Sequence, residues 1–138
     1  MKNLLDTCVI AEYQKPAPDA KVMNWLAAQI EESLFLSVLT VGEIEKGIAR
    51  LPASKRKNSL EMFLTNLVTR FDRRIIYLDT EILRRWGRLT GSLEKKGRVL
   101  PIIDSLLAAT ALEYDLTIVT RNRADLAGTG APVLNVWD

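Results

Sequence analysis

Leu4–Ile10 reads LLDTCVI, and this stretch places an acid, Asp6, where a short apolar run ends. The run is too short for an amphipathic helix, so Asn3–Leu5 and the residues around Asp6 read as a short buried strand. Aspartate is depleted in strands, and upstream only Lys2 supplies a countercharge. A carboxylate at such a position is costly unless something compensates it, and a metal ion is one candidate.

Outward from this strand, helices and strands alternate. Val22, Trp25, Leu26 and Ile30 recur at helical spacing between Asp19 and Glu32, after Pro16 and Pro18. Leu34–Val38 reads as a second strand. Thr40 with Glu43 three positions on reads as a capping box that opens a helix running to about Arg50, before Pro52. Ser54 caps another helix with the apolar stripe Leu60, Phe63, Leu64, Leu67, Val68 and Phe71. Ile75–Leu78 is the third strand. Asp79 caps a helix carrying Ile82, Trp86, Leu89 and Leu93, closed by Gly97, and Pro101 starts a further helix to about Tyr114. Thr117–Val119 and Val133–Val136 complete five strands. The alternation predicts an α/β fold with a parallel sheet covered on both faces, in one domain spanning residues 1–138.

Composition narrows the chemistry. Histidine is absent, which removes Ser-His and Cys-His nucleophile pairs and nitrogen-based zinc ligation. Cys8 is the single cysteine, so internal disulfides and cysteine-rich zinc sites are excluded. No apolar run reaches bilayer length and no signal-type segment opens the chain, so a soluble cytoplasmic protein is expected. The net charge of +2 is unevenly spread: residues 50–98 hold thirteen basic and five acidic side chains, and the flanking thirds are acidic. Such a basic middle either attracts a polyanion or forms solvated helix faces.

In parallel α/β sheets the ligand crevice lies at the carboxyl ends of the strands. Asp6 ends the first strand, Glu43 lies just past the second, Asp125 follows the fourth, and Asp104 starts the helix leading into the fourth. Each has a bland reading as well: capping box for Glu43, first-turn acid for Asp104, loop acid for Asp125. Glu12, Glu45, Glu113 and Asp115 read as surface acids. Carboxylates gathered together repel one another unless a divalent cation intervenes, and an oxygen-only ligand set suits Mg²⁺ or Mn²⁺. That chemistry fits phosphodiester hydrolysis, with cationic side chains gripping neighbouring phosphates.

LLDTCVIAEY, SVLTVGEIEKGI and PIIDSLLAATALEYDLTIVTRNRADL, in this order and over almost the whole chain, resemble the PIN-domain ribonucleases of the VapC toxin group, including its FitB-like branch. The resemblance implies a three-layer α/β/α sandwich around a parallel sheet of about five strands. It also implies Mg²⁺- or Mn²⁺-dependent endoribonuclease activity, dimerisation, and a small DNA-binding antitoxin that inserts a segment into the acidic groove. The family's four acids fall on Asp6, Glu43, Asp104 and Asp125, as catalytic residues and metal ligands. Thr120 and Asn122 match the hydroxyl and amide that usually precede the fourth acid in the family; with Thr7 they are read as orienting the site, and Arg121 and Arg123 are read as gripping RNA. Where the family commonly has Asp-Thr-Asn, this chain has Asp6-Thr7-Cys8, so a contact usually made by that amide is not available. Two rivals stand beside this reading. One is a PIN-fold regulatory subunit that meets nucleic acid only through its DNA-binding partner. The other is a receiver-like phosphoacceptor, disfavoured because Thr120-Arg121 stands where a receiver carries lysine.

Overall fold

Leu4 and Leu5 point to opposite faces of a strand, and both are completely buried, as a central parallel strand requires. In the computed structural model, which describes residues 1–138, this strand is β1 (Asn3–Leu5). It pairs in parallel with β2 (Leu34–Ser37) on one side and β4 (Thr117–Val119) on the other. β3 (Ile75–Ile76) and β5 (Val133–Leu134) are the edges, giving the order β3-β2-β1-β4-β5. Asn3 lies opposite both Leu34 and Thr117, so the carboxyl ends of the three central strands finish together.

The two-residue period then builds two cores. Leu5, Leu34, Leu36 and Val119 meet one set of helices: α1 (Thr7–Glu12), α2 (Ala20–Ala28), α3 (Val38–Ala49) and α4 (Lys55–Arg70). Leu4 and Ile118 meet α6 (Ile102–Tyr114) on the other face, through Leu107, Ala108 and Ala111, with Leu126 from α7 (Arg123–Leu126). The small alanines let α6 approach the sheet closely. α5 (Thr80–Lys95) packs over α6, where Trp86 Nε1 donates to Ser105 Oγ at 2.8 Å. The result is a three-layer α/β/α sandwich around five parallel strands. No helix is long and apolar enough to cross a membrane.

Several local expectations need correction. Asp6 is not the last residue of a strand; it is the N-cap of α1, a helix of six residues that sequence patterning did not reveal. Thr40 does not cap α3, because Ser37 at the end of β2 does so, its hydroxyl accepting from Leu39 N at 3.0 Å. Thr40 therefore falls inside the helix and is fully buried, and Glu43 makes no capping box. α2 stops at Ala28 instead of continuing to Glu32, and Ile30 is 72% exposed. The cause is Glu31, held by Arg70 at 2.8 Å and Arg74 at 2.6 Å in a one-turn 3₁₀ helix (Glu31–Ser33) that redirects the chain into β2. Val68 lies outside the α4 stripe at the surface, and Glu12 is buried: its side chain accepts from Asp19 N at 2.8 Å and from Lys15 at 2.5 Å.

Candidate active site

Three chain segments meet at the carboxyl ends of β1 and β4. The Asp6 N–H still donates to Val119 O at 3.0 Å, so the backbone of Asp6 is fixed by the sheet before its side chain does anything. One carboxylate oxygen accepts from Thr7 N at 2.8 Å, the ordinary duty of an N-cap. The other accepts from the Thr120 hydroxyl at 2.7 Å. Thr120 is itself fully buried, and its oxygen accepts from Asn122 N at 3.0 Å, which orients the hydroxyl proton toward Asp6. Asp6 is thus 94% withdrawn from water (6% exposed) yet hydrogen-bonded on both oxygens.

Thr7 extends the network in the other direction. Its backbone serves Asp6, and its hydroxyl donates to Glu43 Oε1 at 2.7 Å, with the Thr40 hydroxyl 3.5 Å away. Asp104 occupies the first turn of α6, half-buried. Burial raises its carboxyl pKa, and the charges of Asp6, Asp125 and Glu43 raise it further, to about 6. Four acids from α1, α3, α6 and α7 therefore share one electrostatic neighbourhood. Asp125 is its most exposed member, in α7. Arg98 supports that helix by donating to the carbonyls of Ala124, at 3.3 Å, and Ala127. Gly128 follows it with φ +83°, a conformation that favours glycine.

Other sequence candidates are placed less directly. The Asn122 side chain makes no capping bond; the residue contributes through its backbone N–H. Arg121 stacks on Trp137, with its guanidinium carbon 4.4 Å from the ring centre, and Arg123 approaches Asp138 at 3.5 Å. Both arginines are at the rim, and in this conformation both are engaged by the last two residues. Cys8 lies 3.8 Å from Asp6 Oδ2 and 3.6 Å from the Thr120 hydroxyl. Burial pushes its thiol pKa up, so it stays protonated and is a poor metal ligand.

No three of the acidic and thiol groups are close enough to ligate one ion together in this arrangement. A cation held by fewer protein ligands would keep most of its waters, as Mg²⁺ commonly does. Sequence reasoning took Thr40 for a helix cap and missed its place beside the Thr7 hydroxyl, and it missed the cleft of about 520 Å³ that runs from Glu43 along α3 past Lys46 to Arg50. The spacing 43, 46, 50 is one helix face, a signal available in the sequence once the helix start is set correctly.

Comparison with known proteins identifies the family and the fold. The PIN domain family matches residues 4–129. Plasmid stability protein StbB of Pseudomonas syringae pv. tomato is 35% identical over 136 residues, 98% of each chain. VapC ribonuclease Y4jK of Sinorhizobium fredii is 32% identical, covering 98% of this chain and 97% of that protein. The structure of FitAB bound to an IR36 DNA fragment contains a chain that superposes with a TM-score of 0.92 at 31% identity, over 99% of this chain and 96% of that one.

Proposed function

Since the chain belongs to the PIN-domain family, in its VapC-type, FitB-like branch, we propose that it is a metal-dependent endoribonuclease, the toxin of a type II toxin–antitoxin pair that works in the cytoplasm. The observation that carries this reading is the gathering of Asp6, Glu43, Asp104 and Asp125 at the carboxyl end of the sheet, where burial first, and then the charges of the other three acids, push the Asp104 carboxyl up to about 6. An all-oxygen set with no histidine and a protonated thiol fits Mg²⁺ or Mn²⁺. Asp6 and Asp104 would hold the cation, with Glu43 and Asp125 completing the acidic set. When bound, such a cation polarises the scissile phosphate and lowers the pKa of a water.

The chain's own residues do the positioning. Thr120 locks the Asp6 carboxylate, and the Asn122 N–H locks Thr120 in turn. Thr7 fixes the spacing between Asp6 and Glu43. This rigidity is what a hydrolytic site needs, because geometry lost in the ground state must be regained in the transition state. A small DNA-binding antitoxin is the expected partner; its relief of the acidic repulsion by a cationic side chain would block the site.

The test is cleavage of total RNA in Mg²⁺, with end mapping, by wild type, Asp6→Asn and Asp104→Asn. Wild type should cut and both variants should not, with their circular dichroism unchanged. Full activity in Asp6→Asn, after contaminating nuclease is excluded, would refute the assignment. Absence of cleavage by wild type in any divalent metal, with operator binding seen only in a complex, would favour the regulatory-subunit reading.

A further inference from the structure

The cleft along α3 begins at the candidate active site and leads away from it, so its lining bears on how a substrate would enter. Glu43 stands at one end, and Lys46 and Arg50 follow on the same helix face, each about one 5.4 Å turn further on. Both cations are exposed, and neither takes part in any ion pair or cation–ring contact of the chain. This sets them apart from Arg70, Arg74 and Arg85, which are paired with Glu31 or Glu113. Two glycines line the cleft, Gly42 beside Glu43 and Gly47 beside Lys46, and a Cβ at either would meet nothing within 4 Å. Leu39 and Ile103 supply an apolar lining, and Ile103 adjoins Asp104.

We propose that this cleft is the track on which a single-stranded RNA leaves the acidic centre, with Lys46 and Arg50 holding the phosphates that flank the scissile one. The inference rests on the ribonuclease reading and adds the substrate path to it. Charge order selects the occupant. An acidic peptide would be repelled by Glu43 and its neighbours, and a cationic peptide by Lys46 and Arg50. A polyanionic strand with its scissile phosphate at the acids and its next phosphates on the cations satisfies both ends. The open space at the glycines leaves room for the sugar and base of a nucleotide, and the apolar lining offers a surface for a base face.

The experiment measures binding of a short fluorescein-labelled single-stranded RNA by anisotropy in EDTA, across a salt series, with cleavage in Mg²⁺ followed in parallel. The Lys46→Ala/Arg50→Ala double variant should bind about tenfold more weakly or worse, with the slope of log affinity against log salt reduced by roughly 0.7 per cation removed. In cleavage it should raise KM with kcat little changed, and Arg50→Lys should restore most of the affinity lost in Arg50→Ala. Gly47→Leu, which adds bulk to the cleft at a helical position where leucine is well tolerated, should raise KM and leave the salt slope unchanged. Unchanged affinity and slope in the double variant, with wild type cleaving normally, would overturn the proposal. So would loss of antitoxin binding with RNA binding intact, which would make the cleft a protein seat. RNA binding that depends on Lys46 and Arg50 without cleavage in any divalent metal would support the track while removing the hydrolytic reading beneath it. No binding by wild type would overturn the track.

Discussion

Thr120 is the residue on which the acidic centre turns, because its single hydroxyl, just past the end of β4, fixes the buried Asp6 carboxylate. A hydrogen bond to a charged group contributes about 1.5–3 kcal/mol, so Thr120→Val should lower kcat for RNA cleavage by roughly 10- to 100-fold, whereas Thr120→Ser should retain most of it. Equal loss in both variants would argue against the hydroxyl. Asp104 makes a pH prediction. Its folded carboxyl sits at about 6 against an ordinary 3.8, so the folded state favours the protonated form. The stability contribution of this group is therefore greatest below pH 3.8, falls as pH rises toward 6, and is level above. Two units correspond to about 3 kcal/mol, reduced to roughly 1–2 kcal/mol for a half-exposed carboxyl screened by solvent. In EDTA, urea melts of Asp104→Asn should show that the variant gains stability over wild type across this window and gains nothing below it. Asn3 gives the opposite kind of test. It is fully buried, and neither its amide nitrogen nor its amide oxygen has a hydrogen-bond partner. Asn3→Leu should raise the urea unfolding free energy by about 1–2 kcal/mol. The candidate acids were legible because carboxylates are conspicuous beside apolar runs. The buried role of Glu12 was not, since nothing local to it announces that Trp137, at the far end of the chain, will cover it at 3.4 Å.

Among the elements, α3 decides how the site is spaced. It starts directly from β2 through the Ser37 cap, which brings Glu43 within reach of Thr7 and aligns Lys46 and Arg50 on one face. Ser37→Ala should lower stability by about 1 kcal/mol in thermal or urea melts, while Thr40→Ser, which keeps the hydroxyl beside Thr7, should cost less. Unchanged stability in Ser37→Ala would return the cap to the position suggested by the T-x-x-E pattern. That pattern misled because two hydroxyl residues three positions apart both satisfy the local rule, and only the end of β2 selects between them. The same holds for α2. Its apolar period continues to Ile30, but the Glu31 contacts with Arg70 and Arg74 from α4 and the loop after it outweigh one more turn of helix. Ser54 and Asp79 were readable caps, each accepting from the third N–H beyond it. Six-residue α1 was illegible for a simpler reason: it is shorter than two turns, too short to display a period.

Across the whole molecule, the strand order places the first strand at the centre and the fourth beside it, so the acidic centre joins residues from both ends of the polypeptide. The five-strand parallel arrangement followed from the alternation of elements, while the strand order needed long-range pairing that no local pattern encodes. Glu12 ties the same two ends together, with Asp19 N, Lys15 and the Trp137 indole around it. Glu12→Gln should lower the urea unfolding free energy by roughly 1–3 kcal/mol, through orphaned buried donors and loss of the Lys15 pair. A stability unchanged from wild type would show the latch to be dispensable. The topology also has a consequence for biosynthesis. Chains emerge from the ribosome amino end first, and β1 must wait, unpaired on one side, until Thr117–Val119 is translated. Thr120 and Asp125 arrive later still, so a nascent chain carries Asp6 before the hydroxyl that fixes its carboxylate and the acid that shares its surroundings have been made. Assembly of the acidic neighbourhood is therefore a late event in synthesis, waiting on Thr120 and Asp125 long after Asp6 has left the ribosome.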